Sequence, residues 1–101
     1  MVVLRYELRD VPGSNVISMR KGATILTAQY HPARGCISLW VVVDEQKNSE
    51  RNVDEKREFF VASTGDFFLD EDRGYDINYI GTCQESQGAL VWHVFERLKP
   101  L

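Results

Sequence analysis

The stretch that decides the fold is Cys36-Ile-Ser-Leu-Trp-Val-Val-Val43, in which Ser38 is the one polar residue. Both alternating faces of this segment are apolar, which is typical of a strand that is covered on both sides. We therefore expect a central strand or a barrel stave here, as the spine of the core. A domain this small needs large side chains to fill its interior, so Trp40, Phe60 and Trp92 are predicted to lie inside.

The rest of the chain is dominated by a period of two, the period of β-strands. Glycine, proline, asparagine and serine separate the alternating segments and predict turns. The predicted strands are Val2 to Arg9, Val16 to Met19, Thr24 to Tyr30, Cys36 to Val43, Glu58 to Thr64, Ile77 to Gln84 and Ala89 to Glu96. With no segment of sustained helical period, these seven short strands predict an all-β domain, a mostly antiparallel sandwich or small barrel.

Two long polar connections interrupt the strands. Between Asp44 and Arg57 the sequence has a single apolar residue, Val53, so this stretch is predicted to be a mobile loop. The second connection, Gly65 to Asp76, is acidic around a short apolar centre. Because a rigid scaffold usually presents its binding groups on such connections, recognition is expected there.

Composition narrows the class of protein. A chain of 101 residues fits one domain, residues 1–101, and its longest apolar run, Leu39 to Val43, is far too short for a membrane helix. The net charge of −3 argues against direct nucleic acid binding. Two cysteines, Cys36 and Cys83, are too few for a disulfide framework, and the charged N-terminus does not resemble an export signal. We expect an intracellular protein.

The acidic connection is a candidate cation site, since Asp70, Asp72 and Asp76 offer hard oxygen ligands near Gly74. An EF-hand loop that began at Asp70 would need a glutamate at position 81, which is Gly81 here. The solvated-loop interpretation is favoured, and neither a metal nor a cofactor is predicted.

His93 is the candidate catalytic residue, because it shares a strand face with apolar neighbours and is a potential base for Cys83 or Cys36. No glycine-rich elbow or oxyanion motif accompanies it, so a structural or ligand-binding histidine is favoured over a catalytic one. Basic residues are scattered along the sequence and predict no phosphate cradle. The residues predicted to contact a partner or ligand are Asp66, Phe67, Phe68, Asp70, Glu71, Asp72, Tyr75 and His93.

The C-terminal half carries a resemblance to a known family. Tyr79-Ile-Gly-Thr82, followed by Gly88-Ala-Leu-Val-Trp-His-Val-Phe-Glu96, resembles the closing signature of an uncharacterised family of small phage and prophage proteins. Arg5-Tyr-Glu-Leu8 and Lys21-Gly-Ala-Thr-Ile-Leu26 agree with it upstream. Two features depart from the family pattern: Ser63-Thr-Gly65 stands where the family has Gly-Thr-Gly, and both long connections are expanded.

The resemblance implies an all-β fold and a viral or prophage origin, and it implies no activity. Our leading hypothesis is a phage-encoded, non-enzymatic binding module in the bacterial cytoplasm. It would inhibit a host defence protein or sequester a small nucleotide-like ligand. The alternatives are a small enzyme that uses His93 and a virion or assembly component. A homodimer through exposed sheet edges is left open.

Overall fold

The chain folds as a β-sandwich. A computed structural model describes residues 1–44, 53–66, 76–85 and 90–98, and none of these residues lies in a helix. The strands are β1 (Val2–Leu8), β2 (Gly13–Arg20), β3 (Thr24–His31), β4 (Cys36–Val43), β5 (Asp54–Ser63), β6 (Ile77–Gln84) and β7 (Val91–Arg97). They form two antiparallel sheets, in the orders β1-β4-β3 and β2-β5-β7-β6. The all-β prediction is confirmed as a sandwich, not as a closed barrel.

Strand β4 is the centre of the three-stranded sheet, as its composition predicts. Its odd-numbered residues face the second sheet, and Ile37, Leu39 and Val41 are fully buried there. Its even-numbered residues face outward, between side chains of β1 and β3. The opposite sheet covers the inner face, while on the outer face Cys36 and Ser38 are buried and Trp40 and Val42 are half-buried.

The core lies between the sheets, where Leu8, Met19, Phe59 and Trp92 meet the inner face of β4. Burying these side chains is the main favourable term in folding. Among the described residues there is no apolar helix of a length that could span a membrane.

Two of the three aromatic residues predicted for the interior behave differently from Trp92. Trp40 is half-buried on the outer face of its sheet, opposite Arg5, because its inward-facing neighbours Leu39 and Val41 take the core positions. Phe60 is buried, but it lies on the outer face of the second sheet beside Phe95. The prediction that Trp40 packs in the interior is wrong.

Two strands begin three or four residues earlier than the sequence predicts. Strand β5 begins at Asp54, inside the stretch predicted as a loop, and β2 begins at Gly13. These strands pair continuously from Gly13 opposite Val61 to Arg20 opposite Asp54. Main-chain hydrogen bonds between strands need no apolar side chains, so polar Asp54 to Arg57 extends the ladder. Residues 45–52 and 67–75 of the two long connections lie outside the described residues.

The buried side chain of Asn15 stabilises the connection between β1 and β2. The Asn15 side chain accepts a hydrogen bond from the Asp10 main-chain N–H at 2.9 Å and donates one to its carbonyl at 3.0 Å. The intervening Val11–Pro12 peptide bond is cis. Gly13 has a φ of 147°, and a Cβ at this position would come 3.0 Å from the Asp10 Cβ. Only glycine fits this crossing without strain.

Candidate functional site

His93 lies on the outer face of the four-stranded sheet, in β7, opposite Ala62 of β5 and Thr82 of β6. Its Nε2 is 2.8 Å from the Thr64 Oγ1, and its Nδ1 is 3.1 Å from the Thr82 Oγ1. The Thr82 hydroxyl is also 2.5 Å from the Tyr79 hydroxyl. Thr64, His93, Thr82 and Tyr79 thus form one connected line of polar groups from the turn after β5 across β7 to β6, which we call the His93 row.

The His93 row holds its histidine in a fixed orientation, because both ring nitrogens have hydroxyl partners. Tyr79 is 57% exposed at the end of the row, and its ring packs edge-on against Phe95 with the centroids 5.7 Å apart. The row therefore presents an aromatic side chain and several hydroxyl groups on a rigid strand surface.

The two cysteine thiols lie away from His93. Cys83 is buried beside Trp92 on the inner face of its sheet, whereas His93 faces outward. Burial raises the pKa of the Cys83 thiol, against a hydrogen bond with the Tyr30 backbone that lowers it, so the thiol is held protonated. Cys36 is a buried free thiol of the other sheet. The structure does not assemble the histidine–thiol pair that the sequence allows with Cys83.

Asp66 closes the turn after β5. Its carboxylate accepts hydrogen bonds from the Ser63 N–H at 3.2 Å and from the Ser63 hydroxyl at 2.5 Å. Asp66 also borders a cavity of about 350 Å³ beside β5, which we call the outer groove. The residues that line it are Pro12, Gly13, Ser14, Phe60, Val61, Ala62 and Asp66. Ala62 joins the outer groove to the His93 row, because it lies directly opposite His93.

The other predicted contact residues lie outside the described residues: Phe67, Phe68, Asp70, Glu71, Asp72 and Tyr75. Of the predicted set, the structure therefore brings Asp66 and His93 to the same end of the β5–β7 pair. In the parts of the chain that are described, no three histidine, cysteine or acidic side chains are grouped closely enough to hold a metal ion.

A buried ion pair between the sheets was not predicted. Arg57 donates two hydrogen bonds to the Glu96 carboxylate, with the Nη2–Oε1 distance at 2.7 Å, and a third to the Ala23 carbonyl at 2.6 Å. The side chains of Arg57 and Glu96 are only 17% and 8% exposed. The Glu96 hydrogen bonds raise the pKa of Arg57 above its ordinary value. Arg57 and Glu96 each occupy an inward-facing position in the alternating pattern of their strand. This alternation is the sequence signal that could have predicted their burial.

A second ionic group lies on the outer face of the three-stranded sheet, around Glu7 of β1. Arg5 and Arg9 reach its carboxylate at 3.4 and 3.2 Å, and Arg34 from the β3–β4 turn also binds it. The Arg34 hydrogen bond, with the charges of all three arginines, holds the pKa of Glu7 below its ordinary value. Arg34 is far from Arg5 and Arg9 in the sequence, and the β3–β4 turn brings it to β1. We call Arg5, Arg9 and Arg34 the arginine cluster.

The fold and these sites define a small two-sheet antiparallel sandwich with polar and ionic groups on its outer faces. Within this class, the chain belongs to the DUF7352 family, a domain of unknown function, whose family model matches residues 1–100. The expected membership of an uncharacterised family is confirmed. No curated protein and no solved structure matches the chain.

Proposed function

We propose that this protein is a non-enzymatic binding module that docks on a host protein through the His93 row and the adjoining outer groove. The observation that carries the proposal is the His93 row itself, a rigid line of hydrogen-bonding groups that ends in an exposed tyrosine. Tyrosine is favoured at protein interfaces because its ring supplies apolar contact area and its hydroxyl a hydrogen bond. Strands hold these groups in place before binding, which lowers the entropy cost of recognition.

His93 lies at the centre of the proposed recognition surface. Both nitrogens of His93 are already engaged by Thr64 and Thr82. The histidine therefore acts in this proposal as the central support of the row.

Charge favours a basic partner. Asp66 is exposed at the outer groove, and residues 66 to 76 of the sequence contain five acidic residues against one arginine. Negative charge of this kind attracts a basic target, such as a protein that itself binds nucleic acid. Inhibition of a host defence protein is a use that suits such a surface. A phage or prophage origin and action in the bacterial cytoplasm belong to this proposal and rest on the sequence resemblance.

The test is capture of partners from a bacterial lysate by the purified full chain and by the Tyr79→Ser variant. The matched control is Val3→Ser, which removes a side chain of similar exposure, 58%, from the outer face of the other sheet. We expect Tyr79→Ser to lose a partner that Val3→Ser retains. Identical partners for all three proteins would contradict the proposed surface.

Three further measurements test this proposal and separate it from its alternatives. Neutralising Asp66, Asp70, Glu71 and Asp72 to their amides is expected to weaken binding to a basic partner and to leave the fold intact. If the chain instead copurifies with phage particles, a structural role in the virion replaces the proposal. A turnover that His93→Gln abolishes would replace it with an enzymatic role.

A further inference from the structure

The arginine cluster is electrostatically unbalanced. Three guanidinium groups surround the single Glu7 carboxylate, which leaves a local charge of +2 on a chain whose net charge is −3. Concentrated positive charge on an acidic protein is not needed for general solubility. Nor does it contribute much to stability, because exposed ion pairs are worth about 1 kcal/mol or less.

The arginines have hydrogen-bonding capacity to spare. Each guanidinium carries five N–H donors, whereas one carboxylate offers about four acceptor positions. The Arg9 and Arg34 side chains are 82% and 55% exposed, while Glu7 below them is 15% exposed. The remaining donors of Arg9 and Arg34 therefore face solvent.

These donors border a cavity. Glu7, Arg9, Arg34, Gly35 and Cys36 line an open pocket of about 420 Å³. Gly35 has a φ of 61° and borders open space, because a Cβ at this position would meet no protein atom within 4 Å. A pocket of this volume falls within the range of roughly 300 to 1,000 Å³ that holds small ligands.

We propose that this pocket binds the phosphoryl group of a small molecule, with Arg9 and Arg34 as its ligands and Glu7 as the anchor that orients them. Guanidinium groups bind phosphoryl oxygens in a bidentate manner, and a local charge of +2 matches a dianion. Because Glu7 already holds the arginines together, ligand binding does not carry the entropy cost of bringing them together. The pocket lies on the opposite sheet from the His93 row, so this inference stands independently of the proposed function.

The first experiment is a calorimetric titration of the full chain with inorganic pyrophosphate. We expect saturable binding that weakens as salt is added, because the interaction is between charges near the surface. Arg34→Gln and Arg9→Gln should each weaken binding about tenfold or more, the loss of a hydrogen bond to a charged group. Lys56→Gln, which makes the same charge change on the other sheet, should leave affinity unchanged.

Glu7→Gln supplies the most discriminating result. The glutamine carbonyl can still accept hydrogen bonds from the arginines and orient them. Loss of the negative charge makes the local charge +3, so affinity for pyrophosphate should increase, in the opposite direction from the arginine variants. Thermal unfolding of each variant shows whether it is folded, and Arg9→Gln, whose side chain is the most exposed, keeps the test valid if the others unfold.

Three results would overturn the inference. The first is an absence of binding at millimolar pyrophosphate, and the second is equal weakening by Lys56→Gln and Arg34→Gln. The third is equal or tighter binding of malonate or of a short single-stranded DNA, which would assign the pocket to carboxylates or to nucleic acid backbone instead of a small phosphoryl compound.

Discussion

Two of the arginine–carboxylate groups of the molecule differ in burial and in stoichiometry. Arg57 and Glu96 form a matched pair between the sheets, with a third hydrogen bond to the Ala23 carbonyl. Glu7 lies under three arginines, two of which are largely exposed. The first group satisfies its charges internally, and the second leaves donors for another molecule. The difference indicates that a balanced, buried pair maintains the fold, whereas an unbalanced, exposed group is suited to binding.

The largest expected effect comes from leaving Glu96 buried without its partner. Arg57→Met removes the bidentate hydrogen bonds and strands a carboxylate that is 8% exposed. We expect a loss of about 3 to 5 kcal/mol in the free energy of unfolding, the cost of an unpaired buried charge. Urea denaturation measures it. The control is Arg9→Met, and an equal loss in that variant would remove the distinction between the two groups.

Replacing both partners should have a smaller effect than removing one. The double variant Arg57→Met, Glu96→Leu contains no stranded charge, and apolar replacements of buried pairs are often neutral or stabilising. We expect it to recover most of the stability lost in Arg57→Met, as measured by the same urea midpoint. A double variant as unstable as the single one would mean that the Ala23 hydrogen bond, and not the charge pair, maintains this part of the fold.

The contribution of Glu7 to stability should depend on pH in the acidic range. The folded-state pKa of Glu7 is lowered from 4.5, so its contribution to stability is complete above that value and is lost as the pH falls through the lowered pKa. Glu7→Gln removes this contribution. The difference between the urea midpoints at pH 7 and in strong acid should therefore be smaller in the variant than in the parent chain. An unchanged difference would show that the arginines do not stabilise the Glu7 carboxylate.

The smallest effect is expected at an exposed pair. Arg20 and Asp54 join the ends of β2 and β5, with side chains 32% and 50% exposed. Asp54→Asn should cost about 1 kcal/mol or less, because solvent screens such pairs and the paired main chain remains. A loss as large as that of Arg57→Met would show that exposure does not separate the structural pairs from the others.

Local sequence information predicts the strands that carry a clear alternation. Strands β4 and β6 have the predicted boundaries, and the predicted face of β7, on which Val91, His93 and Phe95 lie together, is the observed outer face. The start of β5 was missed because its polar residues extend a ladder through main-chain bonds. Trp40 was placed inside because composition cannot tell which of two apolar faces meets the opposite sheet.

The partners of the site residues could not be predicted, because they come from distant segments. His93 is held by Thr64 and Thr82, which precede it in the chain by 29 and 11 residues. Arg34 meets Glu7 across 27 residues, and Arg57 meets Glu96 across 39. The register between paired strands determines which of these residues come into contact. A single sequence does not give the register of strands that are so far apart in the chain.

The four-stranded sheet combines strands from both halves of the chain, and this determines what happens when the chain is cut in two. Strand β2 belongs by sequence to the N-terminal half, yet its ladder partner in the sheet is β5 of the C-terminal half. If the chain is cut between β4 and β5, one fragment carries a complete three-stranded sheet and an unpaired strand, and the other carries a sheet that lacks its edge. Each fragment then exposes the surface that the other one covers in the intact protein, so co-expressed fragments should reassemble through β2.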